Sequence, residues 1–198
     1  MLKTHQKHYS NLFAHIQRHV NIKEEELDDI CSYFHIENYR KKETVLSAGS
    51  IARRNFFVVQ GCLHMSFINK KGVSQTIQFA IENWWMTDLT SYLFNTESQF
   101  SIQAVENTQV LSISSEREEE LYQEHPKMER YFRKIYQIAY AAFLCRTKYS
   151  FELSKEEMYW QFVESFPEFA QRVPQYLIAS YLGLSPEYVS EIRSRKRY

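Results

Sequence analysis

The residues best placed to do chemistry stand near the end of the chain, where Gln175–Ser194 reads QYLIASYLGLSPEYVSEIRS. Two helices that cross tightly need apolar side chains at the crossing, a small residue at the closest approach and a glycine where the backbone turns left-handed. Ile178, Ala179, Leu182, Gly183, Leu184, Val189 and Ile192 supply these at the spacing of a helix-turn-helix. Ser185 is a residue type that caps a second helix, and Pro186 suits its first position. Leu184 and Val189 stand at the staple positions on either side of that cap. A second helix built this way offers Ser185, Pro186, Glu187, Tyr188, Ser190, Glu191 and Ser194 to base edges in a major groove. A carboxylate there accepts from the cytosine amino group and cannot hold phosphate. Arg193, Arg195, Lys196 and Arg197 then place four cations among residues 193–198. Cations so placed serve phosphate contacts, which give salt-sensitive affinity without sequence preference. The partner these residues suit is double-stranded DNA.

No other set of reactive residues assembles. Cys31, Cys62 and Cys145 are far apart and form no CxxC pair, so neither a zinc ribbon nor a redox dithiol is expected. A cupin-like metal site needs clustered histidines and a carboxylate on neighbouring strands, and the strand region offers only His64. That residue is read as a surface or hydrogen-bonded histidine. His15 and His19 lie one turn apart, with His5 and His8 upstream and no carboxylate ligand beside them. No GxSxG, phosphate-binding loop or dinucleotide fingerprint occurs. The chain is therefore read as a non-enzyme, with no catalytic residue, no metal and no cofactor.

Composition sets the frame for these residues. The chain has 198 residues, enough for one large or two small domains, and its 44% hydrophobic content is that of a folded protein. Only 4 glycines exclude collagenous and linker-like architectures. The 24 basic and 24 acidic side chains cancel, which at first argues against nucleic acid, but the charge is segregated. Residues 24–29 include Glu24, Glu25, Glu26, Asp28 and Asp29, a solvated acidic helix start, while the cations collect at the other end. An odd cysteine count and no secretory signal point to a reducing cytoplasm. No run approaches the ~20 apolar residues of a membrane span, so no membrane partner is expected.

Three kinds of element must position the terminal motif. Leu12, Ile16 and Val20, then Leu27, Ile30, Cys31 and Phe34, follow helical periods. From Tyr39 to Ser114 the period is two. Strands are expected at Tyr39–Leu46, Phe56–Gln60 and Cys62–Ile68, with Leu63, Met65 and Phe67 facing one way and His64 and Ser66 the other. A return strand follows the Asn69–Gly72 loop, and Ser101–Val105 with Thr108–Ser114 reads as a final hairpin. Short strands with regular turns imply a sandwich or barrel. Helix resumes at Glu116–Glu124. Pro126 opens a long helix to about Tyr149, with an apolar stripe of Met128, Phe132, Ile135, Ala139 and Ala142 widened by Tyr131, Ile138 and Cys145. That stripe suits a coiled-coil-like seam with a second copy. Ser154 and Glu157 have capping-box spacing ahead of Met158, Phe162 and Phe166.

This order of elements resembles the cyclic-AMP-receptor-protein/FNR family of bacterial transcription regulators, over roughly residues 20–198. The likeness is specific in QRVPQYLIASYLGLSPEYVSEIRSRKR and looser in VLSAGS and FFVVQGCLHMSF. It implies an α+β fold with an N-terminal cyclic-nucleotide-binding-like β-roll (a jelly roll) with flanking helices. Residues 1–125 would be the sensor domain, 126–150 the dimerisation helix and hinge, and 151–198 the helix-turn-helix domain. It further implies a homodimer joined through 126–149, a recognition helix at Pro186–Arg197, a near-palindromic DNA site, and RNA polymerase as a partner. Nucleotide-binding members use a glycine-glutamate pair and an arginine-serine pair. Here the matching segments read MTDL and QFSI, with Thr87-Asp88 and Phe100-Ser101 in those places. Without the arginine, a buried phosphate charge would lack its cation, so cyclic AMP is not the expected effector. Asp88, Ser91, Phe100 and Ser101 remain candidate contacts for an unknown small molecule, or else Trp84, Trp85, Phe94 and Phe100 fill the roll. The iron–sulfur cysteines of the FNR branch have no counterpart. The β-hairpin wing has none after Tyr198 either, which leaves backbone contacts to the basic tail. The competing reading is a ligand-sensing or protein-interaction module that no longer binds DNA.

Overall fold

The computed structural model describes Leu2–Arg195. These residues form two compact units, one of residues up to Met65 with Phe79–Gln137, the other of Ser66–Gln78 with residues from Ile138 onward. The helices are α1 (Leu2–Gln17), α2 (Leu27–Ser32), α3 (Leu89–Phe94), α4 (Ser115–Glu124), α5 (Pro126–Glu152), α6 (Lys155–Ser165), α7 (Pro167–Arg172), α8 (Gln175–Leu182) and α9 (Pro186–Arg195). The strands are β1 (His35–Tyr39), β2 (Thr44–Leu46), β3 (Arg54–Gln60), β4 (Leu63–Ile68), β5 (Ser74–Ala80), β6 (Trp85–Met86), β7 (Ser101–Ala104) and β8 (Thr108–Ser114). Among the described residues no helix is long and apolar enough to cross a membrane.

The strands make a β-roll of two four-stranded sheets, ordered β1-β8-β3-β6 and β2-β7-β4-β5. Two expectations fail at the level of pairing. Tyr39–Leu46 is not one strand: the chain turns at Arg40–Glu43, with Lys42 at φ +69°, and β1 and β2 join different sheets. Nor do β7 and β8 form a hairpin, since β7 pairs with β2 while β8 lies between β1 and β3. Period-two alternation fixes which side chains share a face and is silent about the neighbouring strand. The expected outward set on β4 is also buried, with His64 only 6% exposed. Leu63, His64, Met65 and Ser66 are all buried, so both faces of β4 are covered over its first four residues.

On the outer face of the first sheet, Phe57, Val59, Leu111 and Ile113 pack with Leu12 and Ile16 of α1, Ile30 of α2, and Met128, Tyr131 and Phe132 of α5. Each fully buried aliphatic or aromatic side chain of this kind contributes roughly 1.5–3 kcal/mol. Trp85 joins the same core and donates from Nε1 to Tyr131 Oη at 2.8 Å.

In the second unit, Ser154 caps α6 by accepting from Glu157 N at 3.3 Å, and the Glu157 carboxylate accepts from Ser154 N at 2.8 Å. Phe162 packs its ring against Phe166, Phe169 and Tyr181, and Tyr159, Phe169, Val173, Leu177 and Ile178 are buried. Within this unit the α5 residues Ile138, Tyr140, Phe143 and Leu144 are exposed in the single chain.

Candidate nucleic-acid interface

The terminal helix pair has the geometry its sequence predicts. Helix α8 ends at Gly183, whose φ of +68° is left-handed, and Gly183 N donates to Ser180 O at 3.1 Å while Leu184 N donates to Ala179 O at 2.8 Å. These bonds satisfy last-turn carbonyls that would otherwise lack partners. Ser185 Oγ accepts from Tyr188 N at 3.1 Å, starting α9. Ile178, Ala179, Leu184, Val189 and Ile192 are buried at the crossing. The outward face of α9 carries Ser185, Pro186, Glu187, Ser190, Glu191, Arg193, Ser194 and Arg195, all exposed, with Tyr188 half-buried.

Electrostatics on this face are mixed. Arg193 donates to Gln175 Oε1 at 3.1 Å. Arg195 pairs with Glu191 one turn back, and a second guanidinium nitrogen lies 3.8 Å from Glu156 of α6. Ser194 Oγ donates to Glu191 O at 2.7 Å. Such exposed pairs are worth only ~0–1 kcal/mol each, so a phosphate can displace them. Lys196 and Arg197, the other two predicted phosphate contacts, lie outside the described residues.

The candidate effector residues meet in the roll near α3. Asp88 is buried and caps that helix, its Oδ1 accepting from Thr90 N at 3.0 Å and Ser91 N at 3.3 Å, while its Oδ2 accepts from Ser98 Oγ at 2.7 Å. Ser91 Oγ accepts from Ala52 N at 2.8 Å and donates to Thr96 O at 2.5 Å. Ser101 Oγ accepts from Ala48 N at 3.0 Å, and Phe100 N donates to Ser98 Oγ at 3.1 Å. Asp88, Ser91 and Ser101 thus tie the 48–52 loop and the 95–101 loop around α3. Ser98, which links Asp88 to Phe100, is missing from the sequence prediction; a serine three residues ahead of a strand carries no distinguishing signal. The aromatic alternative is corrected for three of its four members. Trp84 is 46% and Phe94 71% exposed, and Trp85 belongs to the helix-side core. Trp85 pairs with Phe57, which turns its side chain to the outer face of the sheet.

Two buried polar clusters accompany these sites. The Glu118 carboxylate of α4 is buried and accepts from Tyr92 Oη of α3 at 2.7 Å and from Tyr122 Oη. Burial pushes its pKa above the usual carboxylate range, against the phenol hydrogen bonds that pull it down. Beside it, Asn55 Nδ2 of β3 donates to Tyr136 Oη of α5 at 3.2 Å. On α1, His15 Nδ1 lies 2.7 Å from Tyr131 Oη, and burial, with His19 and Arg18 nearby, lowers its pKa to about 4. Among the described residues no group of three or more His, Cys, Asp or Glu side chains could hold a metal ion.

A family profile for the cyclic nucleotide-binding domain matches residues 36–125. No curated protein matches the chain significantly by sequence. Among solved structures, FixK2 from Bradyrhizobium japonicum is 18% identical, with 82% of this chain and 83% of that chain covered and a TM-score of 0.66. The c-di-GMP-responsive global regulator CLP from Xanthomonas campestris is 13% identical, covers 88% of this chain and 92% of its own, and gives a TM-score of 0.71. The catabolite activator protein from Thermus thermophilus is 20% identical, with 88% and 84% covered and a TM-score of 0.55. At these identities the likeness to the solved structures is one of fold. Residues 36–125 are thus similar to the cyclic nucleotide-binding domain, and the chain has the fold of the cyclic-AMP-receptor-protein/FNR regulators.

Proposed function

We propose that the protein is a homodimeric, DNA-binding transcription regulator that reads a near-palindromic site with one α9 helix per half-site. The observation that carries this reading is the α8–α9 pair: a left-handed glycine turn, a Ser185 cap and a buried crossing beneath an exposed polar helix face. Glu187, Glu191, Ser190 and Tyr188 serve as base-reading groups, and Arg193, Arg195, Lys196 and Arg197 as phosphate contacts. The division into a sensor domain to residue 125, a dimer helix and hinge over 126–150, and a DNA-binding domain from 151 belongs to the same reading. So do a location in the cytoplasm and contact with RNA polymerase. The effector, contacted by Asp88, Ser91, Phe100 and Ser101, is not cyclic AMP, because no arginine stands beside Ser101 to neutralise a cyclic phosphate.

Genome-wide recovery of DNA bound to the native protein tests this directly, and a common half-site at one or two helical turns of spacing is the expected result. Replacing Arg195 and Arg197 together by alanine should weaken binding and lower the salt slope by about 0.9 per lost phosphate contact. Unchanged binding to a recovered fragment would remove the tail from the interface. A second reading, an interaction module without DNA binding, draws on the internal pairing of Arg193 and Arg195 and the two carboxylates on the α9 face. Recovery of no enriched sequence would favour it.

A further inference from the structure

Helix α8 ends in an arrangement that helix-pair geometry alone does not require. Strand β5 is the last strand of its sheet, so its free edge presents backbone groups without a ladder partner. Ser180 of α8 meets that edge. Its hydroxyl accepts from Thr76 N at 2.9 Å and donates to Ser74 O at 3.2 Å, standing in for the missing neighbour. In the other direction, Gln75 Nε2 donates to Ser180 O, one of the carbonyls in the last turn of α8. Arg146 of α5 completes the contact. Its Nη1 donates to Ile77 O at 2.5 Å, its Nη2 donates to Tyr181 O at 3.0 Å, and its guanidinium stacks 3.9 Å from the Tyr181 ring centroid. A guanidinium suits this place because the C-terminal end of a helix carries partial negative charge. All these residues belong to one compact unit.

We propose that Ser180 and Arg146 are positioning residues for DNA reading: they fix the helix pair to the 66–78 hairpin and to α5 without touching DNA. This rests on the regulator reading above. The face of α9 stays exposed while the contact is made, so the bound arrangement is one in which that face can be read. Holding α8 at one orientation removes freedom that a half-site would otherwise have to remove on binding. The contact therefore raises affinity through preorganisation.

The test uses the full chain, a DNA fragment recovered with it, and the variants Ser180→Ala, Ser180→Thr and Arg146→Lys. Threonine keeps the hydroxyl, whereas lysine keeps the charge and loses the fork that spans two carbonyls. Ser180→Ala should speed backbone hydrogen exchange at residues 74–77 and weaken DNA binding by about tenfold, the scale of one or two lost hydrogen bonds. The slope of affinity against salt should not change, because no phosphate contact is removed. Ser180→Thr should restore exchange and affinity, and Arg146→Lys should weaken binding with the same unchanged slope. Faster exchange in Ser180→Ala with wild-type affinity would overturn the positioning role while leaving the regulator reading intact. A changed salt slope in that variant would overturn it too, by placing Ser180 against the DNA backbone. If the wild-type chain binds no DNA, the regulator reading fails and the inference fails with it.

Discussion

Glu118 offers the sharpest test of how the first unit is held together. Its buried carboxylate is the acceptor for two half-buried phenols, Tyr92 on α3 and Tyr122 on its own helix. Glu118→Ala removes that acceptor and loses both hydrogen bonds at about 0.5–1.5 kcal/mol each, so about 1–3 kcal/mol together. Glu118→Gln keeps an acceptor oxygen with two lone pairs and should stay within about 1 kcal/mol of wild type near neutral pH. The pH dependence has a definite sign. Burial raises the folded-state pKa of Glu118 above its ordinary 4.5, so the folded state binds the proton more tightly than the unfolded chain. The contribution from this group is therefore full below the unfolded pKa and is lost as pH rises through the raised folded value. Taking wild type minus Glu118→Gln isolates this contribution from every other titrating group, and the difference should fall as pH climbs from about 4.5. Urea unfolding of the three proteins at a series of pH values, followed by tyrosine and tryptophan fluorescence, provides the measurement. A difference that grows with pH, or an alanine variant as stable as the glutamine variant, would refute the assignment of Glu118 as a buried shared acceptor.

Two other expectations concern assembly and backbone geometry. Ile138→Glu with Phe143→Glu places charge in the exposed apolar band of α5 and should convert a dimer to a monomer at micromolar concentration by analytical ultracentrifugation, since central interface anchors are worth about 2 kcal/mol or more. Wild-type protein sedimenting as a monomer would sink the seam. Gly183→Ala should cost only about 1–2 kcal/mol, because its φ of +68° is strained for alanine but nothing lies within 4 Å of the added Cβ. At Gly61, with φ +102°, the Cβ would sit 2.7 Å from Thr108 Cα and 2.8 Å from Asn107 O. Gly61→Ala should therefore destabilise the roll by more than Gly183→Ala destabilises the helix pair, as thermal unfolding of each would show. Equal losses would contradict the packing around Gly61.

Local chemistry made much of this protein legible from its residues. The α8–α9 pair, the Ser154–Glu157 capping box and the start of α5 at Pro126 depend on contacts within a few positions, so apolar spacing, a glycine and a cap residue suffice to place them. The roll was legible as a class and not as a wiring. Strands form at Thr108–Ser114 as expected and at Arg54–Gln60, two residues longer than the expected Phe56–Gln60, yet alternation could not say that β7 and β8 separate into different sheets. Only tertiary structure decided which polar groups became partners. Ser98 meets the Asp88 carboxylate, Glu118 is buried against Tyr92, and Ser180 lies on the edge of β5. Each pairing spans 10 to 106 positions. Contacts between residues far apart in the chain are chosen by the packing of whole elements, which burial of apolar surface drives without regard to sequence distance. Alternation and capping act over one turn or one strand, and no spacing in the chain encodes them further.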